Sequence, residues 1–245
     1  MNRFYYDFHI HSCLSPCAED DMTPNNIAGM ALLAGLQIVA LTDHNSCKNG
    51  LAFAQAARRN GLIPICGMEL TTAEDIHVVC LFPSPQAAAD FDAFVDARRM
   101  HVPNNERIFG EQLILDENDE LVGKLADYLP AATSLMIGEV PEAVARFGGV
   151  CYPAHVDREA NGAIAVLGDF PPEPGFLNAE LADAEKIASY RERYPALQSK
   201  RILVSSDAHN LWSIRDKSAF LELDAEPSDE DGVVKALFDL LGRAV

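Results

Sequence analysis

The sequence of 245 residues contains no long apolar run, few basic residues and no apolar segment at its N-terminus. No stretch approaches the roughly 18 consecutive apolar residues that a membrane span needs, so we expect no membrane partner. The first residues lack the apolar core of a secretory signal, which favours a cytoplasmic protein. No internal repeat, low-complexity tract or linker divides the sequence. We therefore expect residues 1–245 to form a single domain.

Basic residues are scarce: 19 Lys and Arg stand against 37 Asp and Glu, which gives a formal net charge of −18. Such a surface repels a phosphate backbone, so a long nucleic-acid partner is not expected. A small phosphorylated substrate remains compatible, because bound divalent ions would create a local positive site on an acidic protein. Most of the acidity is interpreted as a contribution to solubility. The oligomeric state is not indicated by the sequence.

The six cysteines do not by themselves indicate disulfides. Without an export signal, their thiols are expected to stay reduced. Three of them lie in apolar, strand-like segments and are predicted to be buried. The other three lie near histidine motifs: Cys13, Cys17 and Cys47.

Short apolar segments alternate with helical patterns along the chain. Strands are predicted over 5–10, 37–41, 62–66, 77–82, 150–154, 176–181, 201–205 and 220–223, and helices over 25–34, 50–59, 86–100, 139–147, 183–194 and 229–241. Residues 101–135 and 157–175 are predicted to be less regular. This alternation indicates a parallel sheet flanked by helices, either a closed barrel or a doubly wound sheet.

Six of the seven histidines lie at or beside the end of a predicted strand. In an α/β barrel the carboxyl ends of the strands form the active-site face, so these side chains would converge from distant parts of the chain. His77 begins its strand, and would converge only if the preceding loop folded back over the barrel mouth. The predicted set, with acidic residues at similar positions, is His9, His11, His44, Glu69, His77, His155, Asp207 and His209.

These residue types suit a metal centre. His9 and His11 are two positions apart, so they point to the same face of a strand and can bind one ion. The combination of imidazole and carboxylate suits zinc, iron or manganese, and a single carboxylate such as Glu69 suits a bridge between two ions. Each motif alone also fits a turn or an ordinary buried histidine. Their joint placement favours two or three divalent metal ions (Zn, Mn or Fe).

The sequence resembles the PHP family, the polymerase and histidinol phosphatase domain. The matching motifs occur in the family's order: Asp7–Ser12, Ala40–Asn45, Gly67–Glu69, His77, Ala154–His155 with Arg158, and Ser206–His209. The resemblance implies an α/β fold, a distorted (β/α)7 TIM-like barrel of the amidohydrolase-like type. It also implies metal-dependent hydrolysis of phosphate esters.

The resemblance implies three metal positions. The first would use His9, His11, Glu69 and Asp207. The second would share Glu69 and add His77 and His155. The third would use His44, His209 and a further residue after the His-x-His pair, which in many relatives is histidine or aspartate. Cys17 falls at the spacing of that histidine, and its thiolate would favour zinc. Alternatively, Cys17 is a small buried residue and the third position is weak or empty.

The hypothesis is hydrolysis of a phosphate monoester or diester by a metal-activated hydroxide that attacks in line. Arg158 is predicted to neutralise the phosphoryl oxygens, although a surface arginine fits its position too. Asp43 is predicted to orient a water or a ligand histidine, with a helix cap as the alternative. His209 or His44 would assist the leaving oxygen, through a third ion or, without one, as a protonated acid.

Two other functions stay open. One is a metal hydrolase that cleaves a C–N or lactone bond on the same barrel, which the lack of a strand-end lysine suited to carbamylation mildly opposes. The other is a non-catalytic domain that binds metal or nucleotide. The substrate is not readable from the sequence. It is expected to be a nucleotide, a short oligonucleotide or a phosphorylated metabolite, selected by loops 13–22, 101–135 and 157–175.

Overall fold

The computed structural model describes residues 1–171 and 175–244. Pro172 and Pro174 of the predicted loop therefore lie outside the described residues. The strands are β1 Asn2–Asp7, β2 Ile38–Leu41, β3 Ile63–Thr71, β4 His77–Phe82, β5 Leu113–Leu115, β6 Leu121–Lys124, β7 Val150–Pro153, β8 Asn178–Leu181, β9 Arg201–Val204 and β10 Phe220–Leu223. The helices are α1 Pro24–Leu33, α2 Gly50–Arg59, α3 Pro85–Asp96, α4 Glu106–Phe109, α5 Val140–Ala145, α6 Ala163–Leu167, α7 Ile187–Arg193 and α8 Glu230–Leu241.

The strands curl around one interior, which confirms the predicted distorted α/β barrel. Six strands pair in the order β10-β1-β2-β3-β4-β7, and β8 pairs with β9 in parallel. Strand β8 lies beside β7. A parallel bridge between Ile10 and Ala208 joins the segment after β1 to the segment after β9. The ends of strands that are distant in sequence therefore meet around one mouth.

The prediction of a wholly parallel sheet was wrong at two strands. Strand β4 is antiparallel to both β3 and β7, and β10 is antiparallel to β1. The physical reason at β4 is the short connection over residues 72–76, since a parallel crossover needs a dozen or more residues. The reversal places His77, at the start of β4, at the same edge as the end of β3. No folding back of the preceding loop is required.

The barrel interior is apolar except at the mouth. Phe4, Tyr6 and Phe8 of the first strand region pack into it, with the rings of Tyr6 and Phe8 stacked at 4.2 Å. Helix α8 contributes Val233 and Leu237 to the same cluster. Because apolar side chains fill the rest of the interior, the polar groups after the strand ends are confined to the mouth.

Several element boundaries differ from the prediction. Strand β1 ends at Asp7, so His9 and His11 lie beyond it, whereas β3 continues to Thr71 and contains Glu69. The segment 101–135 contains α4 and the β5–β6 hairpin, which were not predicted because these elements are only three or four residues long. The longest helices, α3 and α8, have 12 residues each. Across 1–171 and 175–244, no helix has both the length and the apolar character needed to cross a bilayer.

Candidate metal centre

The predicted ligands converge at the barrel mouth. Side-chain ligand atoms lie within 4.8 Å of one another in three overlapping groups. We call them the first group (His9, His11, Glu69, Asp207), the second group (His44, Glu69, His77) and the third group (His11, Cys17, His44, His209). His155 lies beside the second group, with its Nε2 atom 3.0 Å from Glu69 Oε1. His44 was expected in the third position only, yet it belongs to two groups.

Glu69 lies at the centre of the cluster and is almost fully buried. Five imidazoles have a nitrogen within 3.3 Å of its carboxylate: His9, His11, His44, His77 and His155. Burial alone would raise the pKa of Glu69, but the surrounding imidazoles hold it well below its usual range. The carboxylate is therefore ionised at neutral pH and available to bridge two ions, as its single negative charge among imidazoles predicted.

The hydrogen bonds of the first group leave two ligand atoms facing each other. His9 Nδ1 lies 2.8 Å from the Glu180 carboxylate, and His11 Nδ1 lies 3.1 Å from the hydroxyl of Ser15, which donates to Asp43. Both Nδ1 atoms are therefore donors, and the two Nε2 atoms, 3.3 Å apart, have their lone pairs free for a ligand. Two such nitrogens repel unless a cation lies between them. This donor set fits a divalent metal ion.

Asp43 is buried and does not join any of the three groups. It accepts hydrogen bonds from the Ser12 backbone N–H at 2.7 Å and from the hydroxyls of Ser12 and Ser15 at 2.6 and 2.7 Å. Because Ser15 also accepts from His11, these contacts link Asp43 to a ligand histidine through one hydroxyl. The geometry favours the predicted orienting role through a histidine, and Asp43 does not cap a helix.

Two residues of the centre adopt a backbone conformation that is unusual for side chains other than glycine. His155 has φ +28° and Asp207 has φ +51°. Left-handed backbone at non-glycine residues costs roughly 1–3 kcal/mol and persists where the surrounding contacts impose it. Both conformations follow directly after a strand, β7 and β9, and turn the side chain toward Glu69 and His11. The strain is typical of a functional site.

The third group includes the two histidines whose role depended on an unsettled ligand. The rings of His11 and His209 stack at 4.3 Å, and His209 Nδ1 donates to the Asp207 carbonyl at 2.8 Å, which leaves Nε2 free. Burial, with the nearby His11, lowers the pKa of His209 to about 4. A neutral ring at pH 7 suits metal binding better than donation of a proton. Cys17 joins these histidines from an exposed position, so the alternative of a small buried residue is wrong.

Arg158 reaches the centre from the loop after β7. Its Nη1 atom contacts Asp207 Oδ2, and 43% of its side chain is exposed. Burial alone would raise the pKa of Asp207, but His9 and His11 hold it well below its usual range. Arg158 therefore lies beside an ionised carboxylate at the mouth and is accessible to a substrate, as a phosphate-binding arginine must be.

Glu180 and Asp7 are residues whose roles the sequence did not reveal. Besides its contact with His9, Glu180 accepts from the backbone N–H of His155 at 3.1 Å. Asp7 accepts from the backbone N–H groups of His9 and Ser206, so it joins the ends of β1 and β9. A signal for Glu180 was present, since a single acid inside a buried strand is costly unless it is paired.

The metal-free protein is expected to lose stability as the pH rises from about 6.5 to about 9. Burial alone would lower the pKa of His11, but hydrogen bonds to Asp207 and Glu69 raise it to about 9. The protonated ring stabilises the folded state fully below its unfolded pKa, about 6.5, and this contribution is lost as pH rises through about 9. Melting temperatures measured across this range, with and without zinc, test the expectation.

The zinc-loaded protein should show the opposite trend relative to the metal-free one, because metal binding requires neutral imidazoles and so strengthens with pH. A His11→Asn variant serves as the control and should have a flatter metal-free profile. A metal-free melting temperature that is constant from pH 6.5 to 9 would contradict this account of the first group.

Comparison with known families gives a match to the PHP domain over residues 7–162. An error-prone DNA polymerase of Corynebacterium diphtheriae is 25% identical over 187 residues, which are 71% of this chain and 18% of that protein. The error-prone DNA polymerase of Symbiobacterium thermophilum is 28% identical over 96 residues, 39% of this chain and 9% of that protein. The chain thus spans less than a fifth of the length of these relatives.

Solved structures share the fold at low identity. A lesion-specific endonuclease of Pyrococcus furiosus, endonuclease Q, has a TM-score of 0.66 at 18% identity, with 98% of this chain and 56% of that chain covered. An amidohydrolase of Chromobacterium violaceum has a TM-score of 0.58 at 18% identity, with 89% and 91% covered. A protein of Bifidobacterium adolescentis described as a metal-dependent phosphoesterase has a TM-score of 0.52 at 20% identity, with 97% and 98% covered.

Proposed function

Because the chain belongs to the PHP domain family, we propose that it is a metal-dependent phosphoesterase whose ions are held by the three groups at the barrel mouth. The observation that carries the proposal is the arrangement around Glu69, where five imidazoles surround one buried carboxylate. Such a set is expensive to bury without a bound cation. That residues 1–245 form one domain remains a prediction.

In this proposal the first group holds one ion, and Glu69 bridges it to a second ion held with His77, His155 and His44. The bound ions would supply Lewis-acid chemistry, activating a water molecule and offsetting the charge that develops on the phosphoryl oxygens. Glu180 and Ser15 keep His9 and His11 in the tautomers whose Nε2 atoms face the site. Arg158 binds a phosphoryl oxygen, because its guanidinium is exposed on one side and held by Asp207 on the other.

A direct test begins with element analysis of the purified protein. The stripped protein is then reloaded with Mn²⁺, Zn²⁺ or Fe²⁺ and assayed with p-nitrophenyl phosphate, bis(p-nitrophenyl) phosphate and a matched p-nitroanilide. We expect metal-dependent hydrolysis of a phosphate ester and none of the anilide. Cleavage of the anilide alone would establish the C–N hydrolase alternative, and bound metal without turnover of any ester would favour a non-catalytic domain.

The substrate we propose is small: a nucleotide, a short oligonucleotide or a phosphorylated metabolite. The net charge of −18 supports this choice, because it opposes a long phosphate backbone. Duplex DNA is a second candidate, since endonuclease Q, which shares the fold, has been solved with a 27-mer duplex that carries an abasic lesion. A radiolabelled duplex with and without that lesion, compared with mononucleotides at equal phosphate concentration, separates the two.

Cys17 is expected to make the third group selective for zinc over manganese. Thiolate is a soft ligand, and zinc accepts sulfur where manganese prefers oxygen. Replacing Cys17 with alanine should lower the zinc content by about one ion per chain, whereas Cys17→His should restore it. The Co²⁺-loaded protein should show a thiolate charge-transfer absorption that disappears in Cys17→Ser. Cys151→Ser, a half-buried thiol of β7, is the matched control. An unchanged cobalt spectrum in Cys17→Ser would exclude Cys17 as a ligand.

A further inference from the structure

We propose that Phe109 and Tyr128 form an aromatic wall that binds the flat leaving group of the substrate, in its biological form the nucleobase of a nucleotide. The inference rests on the proposed function, because the wall serves the same phosphate-ester site. It goes further by choosing one substrate class and naming the residues that select it.

The two rings form a pair within the segment between α3 and α5. Their centroids are 4.5 Å apart and their planes are inclined by 39°. Phe109 is 42% exposed, and Tyr128 is half-buried. Among the described residues the Tyr128 hydroxyl has no hydrogen-bond partner. The pair therefore presents aromatic surface and a free phenolic group to solvent, instead of being enclosed in one of the apolar cores.

The position of Phe109 follows from its neighbour in the chain. Gly110 has φ +91°, and a Cβ atom there would lie only 3.0 Å from the Pro16 carbonyl oxygen. Only glycine permits this close approach of the two backbones. Because Pro16 immediately precedes Cys17, the end of α4 is held against the loop that supplies a member of the third group.

Tyr128 is held at the mouth through a second and independent contact. The side-chain amide of Asn45 donates to the Leu129 carbonyl at 2.7 Å and to the Ala131 carbonyl at 3.0 Å. Asn45 directly follows His44, and its own φ of +45° marks a constrained turn. Burial, with the nearby Cys17, raises the pKa of Tyr128, which agrees with a ring close to the third group.

The two anchors place the pair beside the centre on the side of Cys17 and His44. The first and third groups share His11, so the wall borders the site proposed for the phosphoryl group. An aromatic wall next to a phosphate site suits a ligand with a flat ring attached through a sugar. Stacking on such a wall tolerates any base, because every base has a π face.

The test compares two esters that differ only by the base, AMP and ribose 5-phosphate, with the metal-loaded full chain. We expect wild type to have a kcat/KM for AMP about tenfold above that for ribose 5-phosphate. The Tyr128→Ala and Phe109→Ala variants should lose that preference while their kcat/KM for ribose 5-phosphate changes less than about twofold. Ile108→Ala, which removes an exposed apolar side chain from the same helix, is the matched control and should retain the preference.

A readout independent of turnover uses saturation-transfer NMR with adenosine and ribose. Wild type should bind adenosine and not ribose, and Tyr128→Ala should weaken adenosine binding about tenfold. Tyr128→Phe and Phe109→Leu, which preserve packing, decide the question if an alanine variant does not fold: the first should behave as wild type and the second should lose most of the preference. Equal losses for both esters, or no preference in wild type, would overturn the wall. Adenosine binding that depends on Tyr128, in a protein that hydrolyses no ester, would instead overturn the proposed function alone.

Discussion

Replacing Glu69 with glutamine is expected to reduce phosphate-ester hydrolysis by about three orders of magnitude or more. Ions of this kind contribute several kcal/mol of transition-state stabilisation, and each 1.36 kcal/mol corresponds to a factor of ten in rate. Glutamine preserves the volume of the side chain but removes the charge that five imidazoles surround. Both the first and the second group lose their shared carboxylate, so the metal content should fall together with the activity.

The measurement is metal content by element analysis alongside kcat for p-nitrophenyl phosphate. Glu222→Gln is the matched control, because Glu222 is an exposed partner of Arg3 on β10, away from the mouth. It should retain both quantities. A Glu69→Gln protein that remains folded with full metal content and full activity would show that Glu69 does not bridge ions, and the proposed arrangement of the first two groups would be wrong.

Replacing Glu180 with methionine is expected to weaken metal binding by about 10- to 100-fold, the usual effect of removing a carboxylate that orients a ligand histidine. Glu180 is almost fully buried, and one of its oxygens accepts from both the His9 ring and the His155 backbone. Without it, His9 no longer has a partner that selects the tautomer with a free Nε2. Two buried N–H groups also lose their acceptor.

A graded series separates orientation from packing. Glu180→Gln keeps an oxygen acceptor but loses the charge, so its metal affinity should lie between those of wild type and Glu180→Met. The affinity is measured by competition with a chelator, and the melting temperature of the metal-free protein is followed in parallel. If Glu180→Met lowers the melting temperature without changing the affinity, then Glu180 is a structural residue only and does not position His9.

The chemistry of the centre was predictable from the sequence because it depends on residue types at strand ends. His9, His11, His44, Glu69, His155, Asp207 and His209 each follow or end a short apolar segment, and such segments form strands whatever surrounds them. Alternating strands and helices then place those ends on one face of a barrel. For this reason the ligand set and the fold class could be stated before any coordinates were known.

Other features of the centre depended on contacts that no local pattern records. His77 faces the mouth because β4 runs against its neighbours, and strand direction is set by pairing with β3 and β7. Glu180 looks like an anomaly within a buried strand until His9, 171 positions away in sequence, is placed beside it. The short helix that ends in Phe109 has too few residues for a periodic signal.

The histidines and acids at successive strand ends are thus what the sequence determined by itself, since hydrophobic periodicity fixes where strands stop and residue chemistry fixes what they carry. The tertiary structure decided how those residues share one site: Glu69 at its centre, Glu180 and Ser15 behind the ligand histidines, Cys17 within the third group and an aromatic pair at the rim. The physical reason is that hydrogen bonds and ion contacts between distant segments depend on distances of a few ångströms. Only the packing of the whole barrel establishes those distances.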